Sequence, residues 1–216
     1  MSIIQSRMQA AALAAAAAMP PARAPPVRAI IIPGNGDGDV RRSNWYAWLE
    51  GRLLDHPSFD EVVLRDMPDP LRARRKIWVP FMLDELGADE RTVIIGHSSG
   101  AVAAMRLLEE HQLHGAVLVA SCHTDLGDAN ERASGYYPPS GGPWRWNEIR
   151  RNAGGNVRLL HSDNDPFIPL DEAKHVASQL GCALQVESGR SHFFSPCDAI
   201  FEAAVAVAQA QARDAS

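Results

Sequence analysis

The chain has 216 residues, 46% of them hydrophobic, and a formal net charge of −5. That length suffices for one α/β domain with a sizeable core, and the acidic balance, with no basic face, excludes a nucleic-acid footprint. Three cysteines (Cys122, Cys182, Cys197) without ligand spacing argue for reduced thiols in a cytoplasmic protein and against a metal centre, and no apolar run reaches the ~18 residues that a membrane span needs.

Residues 1–26 differ from the rest: Met8 to Met19 is almost all alanine, and a run of prolines follows from Pro20 to Pro26. Alanine buries little apolar area and proline ends a helix, so the segment reads as a disordered tail. Arg7 ahead of an apolar stretch, with Ala22-Arg23-Ala24 as a small-residue site, keeps a cleaved targeting segment as the alternative. The folded domain is expected over residues 27–216. It opens with Val27–Ile32, a continuous apolar run suited to a buried parallel strand. Gly34, Gly36 and Gly38 follow, but the loop matches neither a dinucleotide fingerprint nor a P-loop. Read as a calcium loop from Asn35, it has Val40 and Tyr46 where glycine and glutamate are required. A helix is expected from Asn44 to Leu54 with Ser43 as its N-cap, and a strand over Glu61–Arg65. A rigid loop at Asp66–Pro70 leads to a long helix from Leu71 or Arg72 to Leu86, strained by Pro80. Arg72, Arg74, Arg75 and Lys76 read as its solvated face. Thr92–Ile95 is a strand, Ala101–Leu108 a helix and Gly115–Ala120 the next strand. Residues 121–143 show no clear element. A helix over Trp144–Asn152, a strand over Val157–His161, a helix capped by Asp171 and running to Leu180, a strand over Cys182–Val186 and a helix from Pro196 to about Ala212 complete the chain. This alternation predicts an α/β fold: a three-layer α/β/α domain with about six mostly parallel strands.

Between the strand at Thr92–Ile95 and its helix lies Gly96-His97-Ser98-Ser99-Gly100. Gly-x-Ser-x-Gly joining a buried strand to a helix is the nucleophile elbow of an α/β-hydrolase. The serine sits on a sharp turn, and the flanking glycines let strand and helix approach. By chance the pattern arises on the order of 0.1 times in a chain of this length, and a plain Gly/Ser turn is the alternative for this stretch taken alone. Ser98 is the candidate nucleophile, and the backbone N–H of Ser99 one oxyanion donor. Asn35, in the glycine-rich loop after the first strand, is the candidate second donor, with Gly36 the runner-up.

A serine hydroxyl needs an imidazole to take its proton, and the imidazole needs a carboxylate. In this fold they follow in the order Ser, acid, His on loops at strand ends. Of eight histidines, only His192 follows the last strand on a glycine-containing loop. His97 must point away from Ser98, and His161 ends a strand where it could be structural. Asp165 is the candidate acid because Pro166 holds it in an extended conformation; Asp163 reads as a turn residue. The excursion at residues 121–143 leaves the C-terminal end of a strand, where α/β folds bind ligands. Tyr136, Tyr137, Trp144 and Trp146 either wall the site or pack the loop down.

Several longer motifs accompany the elbow: Gly34-Asn35-Gly36-x-Gly38-Asp39-Val40, Asn44-Trp45-Tyr46-x-Trp48, Asp66-Met67-Pro68-Asp69-Pro70, Ile77-Trp78-x-Pro80-Phe81-Met82, the stretch from Asp125 to Tyr136, and Asp165-Pro166-Phe167-Ile168-Pro169. On these, from about Ala29 to the final helix, the chain resembles the small serine hydrolases of the retinoblastoma-binding protein nine type. The resemblance implies a compact α/β-hydrolase with a triad at Ser98, Asp165 and His192, no cofactor, and hydrolysis of small ester or amide substrates, aminopeptidase-like action included. Trp45, Trp78, Tyr136 and Trp144 are the expected substrate-pocket residues, and a small acyl compound is the expected partner of a monomer. The family's Leu-x-Cys-x-Glu motif reads Leu86-Gly87-Ala88-Asp89-Glu90 here, so a retinoblastoma-type partner is not carried over. Ser191 stands before His192 where the family often has glycine. A non-catalytic binding protein on the same fold, or a thioesterase or acyltransferase using the same triad, are the competing readings.

Overall fold

The computed structural model describes residues 25–210. Most of the alanine- and proline-rich segment, and the expected end of the last helix near Ala212, lie outside the described residues. Among the described residues six strands are present: β1 (Val27–Ile32), β2 (Phe59–Val63), β3 (Thr92–His97), β4 (Gly115–Val119), β5 (Val157–Ser162) and β6 (Leu184–Glu187). Seven helices lie between and after them: α1 (Tyr46–Leu54), α2 (Arg75–Asp84), α3 (Ser99–Leu108), α4 (Ala129–Ser134), α5 (Trp146–Asn152), α6 (Leu170–Leu180) and α7 (Asp198–Gln209). The strands form one sheet in the order β2-β1-β3-β4-β5-β6, and every pairing is parallel.

Two-residue alternation sorts the buried strand residues to the two faces. Ile30, Ile32, Ile94, Leu118 and Leu159 pack with Trp78 and Met82 of α2, the apolar residues of α3, Ile149 of α5 and Val176 of α6. Ala29, Ile31, Val93, Ile95 and Val117 pack on the other face with Leu49 and Leu53 of α1 and with Ile200, Ala204 and Val207 of α7. The result is three layers. The chain leaves β1 toward β2 on one side and β3 pairs with β1 on the other, so the switch point of the sheet lies between β1 and β3. In open α/β sheets that crevice is where ligands bind.

Several local expectations need correction. Ser43 does not cap α1: its hydroxyl donates to the Asp39 carbonyl at 2.8 Å, Asn44 takes a left-handed φ of +48°, and the helix starts at Tyr46. The helix carrying Pro80 starts later than expected, because Asp69 and Ala73 are left-handed (φ +53° and +45°) and break the preceding turn. Asp171 lies inside the first turn of α6, paired with Lys174 at 2.8 Å, and Pro169 takes the N-cap position. The excursion at residues 121–143 contains a helix after all, α4. Asp128 caps it by accepting the N–H groups of Asn130 (2.8 Å) and Glu131 (2.9 Å), and left-handed Gly135 ends it. The cap, Glu131 three residues later and the terminal glycine were all visible in the sequence; six residues are too few for a periodic signal.

Arg106 holds the rest of the excursion down. It is 1% exposed, and its guanidinium donates to the carbonyls of Tyr136, Gly142 and Pro143 and to Glu109. It also lies 3.7 Å from the Trp144 ring centroid. A buried guanidinium requires acceptors, and this one finds them in the loop.

Candidate active site

The elbow is built as its residue types require. Ser98 adopts φ +54° and ψ −122°, a sparsely populated conformation that costs about 1–3 kcal/mol. Its N–H donates to the Val119 carbonyl at 2.9 Å, which ties the turn to the end of β4. A Cβ on Gly96 would meet the Gly100 carbonyl oxygen at 2.5 Å and the Ala101 Cα at 2.6 Å. A Cβ on Gly100 would run into the carbonyl oxygens of Ile32 and Pro33. Only glycine fits either position.

The loop after β5 brings Asp165 to His192. His192 Nδ1 donates to Asp165 Oδ2 at 2.7 Å. The other carboxylate oxygen accepts the N–H groups of Phe167 (2.9 Å) and Ile168 (3.1 Å). The Asp165 side chain is 1% exposed. Burial pushes its carboxyl up, but the His192 hydrogen bond and charge and the two backbone donors together hold it below the usual carboxylate range. Asp163 accepts from Ser188 Oγ and the Gly189 N–H, both at 2.8 Å, and ties the β5 and β6 loops together as a turn residue.

Ser191, which stands where the resembled family often has glycine, takes φ +52°. Its N–H donates to Asn164 Oδ1 at 2.8 Å, and the same oxygen accepts from Ser162 Oγ at 2.8 Å. Ser162 Oγ in turn accepts the Arg190 N–H at 3.0 Å. This network holds the loop in a conformation that serine alone disfavours, and His192 reaches Asp165.

His97 points away from Ser98 into the protein and is 1% exposed. Burial, reinforced by His192, pushes its imidazole down to about 3, so the ring is neutral at pH 7. A neutral imidazole has one N–H. Nε2 faces only the His192 carbonyl, at 2.9 Å, so the hydrogen sits there and Nδ1 is an acceptor for the Tyr46 hydroxyl at 2.7 Å. The Tyr46 oxygen accepts the Gly34 N–H at 3.0 Å, and its one hydrogen is shared between His97 Nδ1 and Asp37 Oδ2, which lies 3.0 Å away. A buried chain thus runs from the β1 loop through Tyr46 and His97 to the backbone of His192. His161 is structural: it is fully buried, with Nε2 2.9 Å from the Ile168 carbonyl.

These loops surround a cavity of about 680 Å³ whose lining includes Asn35, Ser98, Ser99, Cys122, Glu131 and His192. Tyr137, Phe167 and Phe194 also contribute. Phe167 and Phe194 are 60% and 51% exposed and meet the His192 ring edge-on, with centroids 5.1 and 5.7 Å away. Asp37, Asp128 and Glu131 line the cavity too, and among the described residues no lysine or arginine does. Ser98 Oγ makes no hydrogen bond to protein among the described residues, as is common in unliganded sites. The N–H groups of Asn35 and Ser99 likewise meet no protein acceptor among the described residues.

The expected aromatic pocket is not there. Trp45 is fully buried on the α1 face of the sheet. Trp78, on the core-facing side of α2, is fully buried, with its Nε1 donating to the Pro68 carbonyl at 2.7 Å. Tyr136 is buried in the core beside Arg106, and Trp144 packs on Arg106 with its Nε1 donating to the His123 carbonyl at 2.9 Å. Of the aromatics in the excursion only Tyr137 faces the cavity. Glu131, Phe194 and Cys122 had no sequence signal as lining residues, because their placement depends on how separate loops meet. Among the described residues no group of three or more His, Cys, Asp or Glu side chains could hold a metal ion, and no helix is long and apolar enough to cross a membrane.

Residues 29–202 match the profile of the family described as serine hydrolase. The chain belongs to that family. A serine hydrolase relative, rat serine hydrolase RBBP9, is 46% identical over 170 residues, which cover 79% of this chain and 89% of the relative. The putative hydrolase YdeN of Bacillus subtilis is 26% identical over 159 residues, 70% of this chain and 78% of its own length. The crystal structure of the B. subtilis ydeN gene product superimposes with a TM-score of 0.71 at 24% identity, covering 84% of this chain and 98% of that one. Est1E from Butyrivibrio proteoclasticus gives a TM-score of 0.63 at 14% identity over 83% and 86% of the two chains. These structural likenesses establish the α/β-hydrolase fold, and the family match establishes a serine hydrolase.

Proposed function

We propose that this serine hydrolase cleaves small ester or amide substrates through an acyl-enzyme on Ser98, with His192 as base and then acid and Asp165 as its orienting carboxylate. The observation that carries the reading is the buried Asp165–His192 hydrogen bond of 2.7 Å beside a cavity that Ser98 lines from a strained elbow. Asp165 keeps the His192 hydrogen on Nδ1 and leaves Nε2 free to accept a proton. His192 takes the Ser98 proton as Oγ bonds to the substrate carbonyl carbon. The N–H groups of Asn35 and Ser99 receive the negative charge on the carbonyl oxygen. The tetrahedral adduct collapses, and the imidazolium protonates the departing alcohol or amine. Water then attacks the acyl-enzyme, giving its proton to His192, which returns one to Ser98.

The neutral state of His97 suits this cycle, because a second cation 4.9 Å from the His192 ring would oppose formation of the imidazolium. The acidic lining favours neutral or cationic acyl groups over anionic ones, which agrees with aminopeptidase-like amide cleavage. The unpaired cysteines fit a reducing, cytoplasmic setting.

A fluorophosphonate probe tests the reading. Wild type is expected to be labelled and to turn over an aryl ester, and Ser98→Ala to do neither. An unlabelled, inactive wild type would refute it. Turnover of matched neutral, cationic and anionic esters and amides then defines the acyl preference.

A further inference from the structure

We infer that Glu131 is a positioning residue of the hydrolytic centre: its carboxylate binds the side chains of Asn35 and Ser99 together, and so fixes the two residues whose N–H groups face the substrate carbonyl. The inference rests on the oxyanion assignment proposed above.

Glu131 Oε1 accepts from Asn35 Nδ2 at 3.0 Å and from Ser99 Oγ at 3.4 Å. Asn35 follows β1 and Ser99 begins α3, so one oxygen bridges the two sides of the crevice at the switch point of the sheet. Oε2 accepts from the Tyr137 hydroxyl at 2.9 Å, and that hydroxyl also lies 3.3 Å from Cys122 Sγ. No lysine or arginine pairs with Glu131 among the described residues. A carboxylate in a largely desolvated place must then be held by neutral donors, and the donors it has include both of these residues. Burial raises its carboxyl above the usual range even with those hydrogen bonds, so the position is electrostatically costly and a cap alone does not explain it.

Capping does not need this side chain. Asp128 already accepts the first N–H groups of α4, and the Glu131 side chain reaches away from them to Asn35. Asn35 in turn has its neighbours tied elsewhere. Gly34 N–H is bound by Tyr46, and Gly36 N–H by the Pro70 carbonyl at 2.8 Å. The Asn35 side chain is the remaining tether on the peptide that carries the unbound N–H. Donors fixed before the reaction stabilise the transition state without reorganising, and the excursion at residues 121–143 therefore completes the centre through Glu131.

The test measures kcat and KM on a neutral aryl ester for wild type, Glu131→Ala, Glu131→Gln, Asn35→Ala and the Asn35→Ala/Glu131→Ala double variant. Displacing an oxyanion donor lowers the rate, so kcat of Glu131→Ala should fall on the order of 10- to 100-fold with KM changed less than about 3-fold. Glu131→Gln should restore most of the loss, because its amide oxygen accepts both bonds and its NH2 meets the Tyr137 oxygen. The double variant should be no slower than the worse single one, as for two members of one unit. An unchanged kcat in Glu131→Ala, equal loss in the Ala and Gln variants, or losses that multiply would overturn the inference. If Glu131→Ala does not fold, Asn35→Ala decides: unchanged kcat there overturns it as well. Fluorophosphonate labelling of Ser98 separates the two levels. Unlabelled wild type defeats the hydrolytic reading itself, whereas labelling of Glu131→Ala at the wild-type rate defeats only the role of Glu131.

Discussion

Lowering the pH should destabilise this protein through His97, and the size of the effect can be worked out. In the folded state burial holds the imidazole at about 3, whereas in an unfolded chain it titrates near ~6.5. Between those values the unfolded state binds a proton that the folded state refuses, so stability is complete above the unfolded value and is lost as pH falls toward the folded one. From pH ~7.5 to pH ~5 this one group removes about 2 kcal/mol, at about 1.36 kcal/mol per unit below the unfolded pKa. Any folded value below about 4 gives nearly the same figure. For a chain of this size that corresponds to roughly 4–8 °C in Tm. His161 is also buried and its pKa is lowered by burial, so the total loss is larger. The assay is urea unfolding across this pH range for wild type and His97→Gln, comparing slopes instead of absolute stabilities. The variant's slope should be shallower by close to one proton between pH ~6 and pH ~5. Parallel slopes would refute the assignment of His97 as a buried neutral base, and with it the hydrogen-bond roles given to Tyr46 and the His192 carbonyl.

Three other outcomes are expected. Asp165→Asn should preserve the fold and its Tm to within a few degrees but lower kcat on the order of 10⁴-fold, because an amide in that place selects the wrong His192 tautomer; steady-state kinetics on an aryl ester measures it. Gly100→Ala places a methyl against the Ile32 and Pro33 carbonyls and should cost about 3 kcal/mol or more, read from thermal or urea unfolding; a neutral result would mean that the elbow is wider than described. Ser191→Gly relieves the positive φ at Ser191, which is worth about 1 kcal/mol and is partly offset by the greater freedom of unfolded glycine. Its Tm should stay level or rise by a few degrees with kcat within about twofold, whereas a clear loss of activity would show that Ser191 has a role beyond its backbone.

Much of the fold was legible because burial on two faces writes itself into runs such as Val27–Ile32, and because the glycines at 96 and 100 answer a local steric demand. Asp165 and His192 were singled out by chain order and by Pro166, which are also local signals, and the structure brings their side chains to 2.7 Å. Helix starts were misjudged where left-handed residues without glycine intervened, at Asn44, Asp69 and Ala73. At Asn44 and Asp69 a short polar side chain tolerates that backbone and bonds to near neighbours, Asp37 and Tyr46 in one case and Arg74 in the other, a signal weaker than glycine; Ala73 carries no marker in its residue type. The pocket was misread for a related reason. Large aromatics were expected to face the substrate, but Trp45, Trp78 and Tyr136 bury more apolar area in the core than at an open mouth.

What the sequence by itself determined is the elbow, the chain order in which Ser98, Asp165 and His192 follow one another on separate loops, and the alternation of strands and helices. Each depends on residues close together in the chain or on a periodicity that burial imposes. Only the tertiary structure decided what surrounds Ser98. Glu131 reaches Asn35 across 96 residues, His97 reaches the His192 carbonyl across 95, and Arg106 gathers a loop some 30 residues further on. A polar group taken from water must find a partner wherever the packed chain provides one, and that choice is made among neighbours in space.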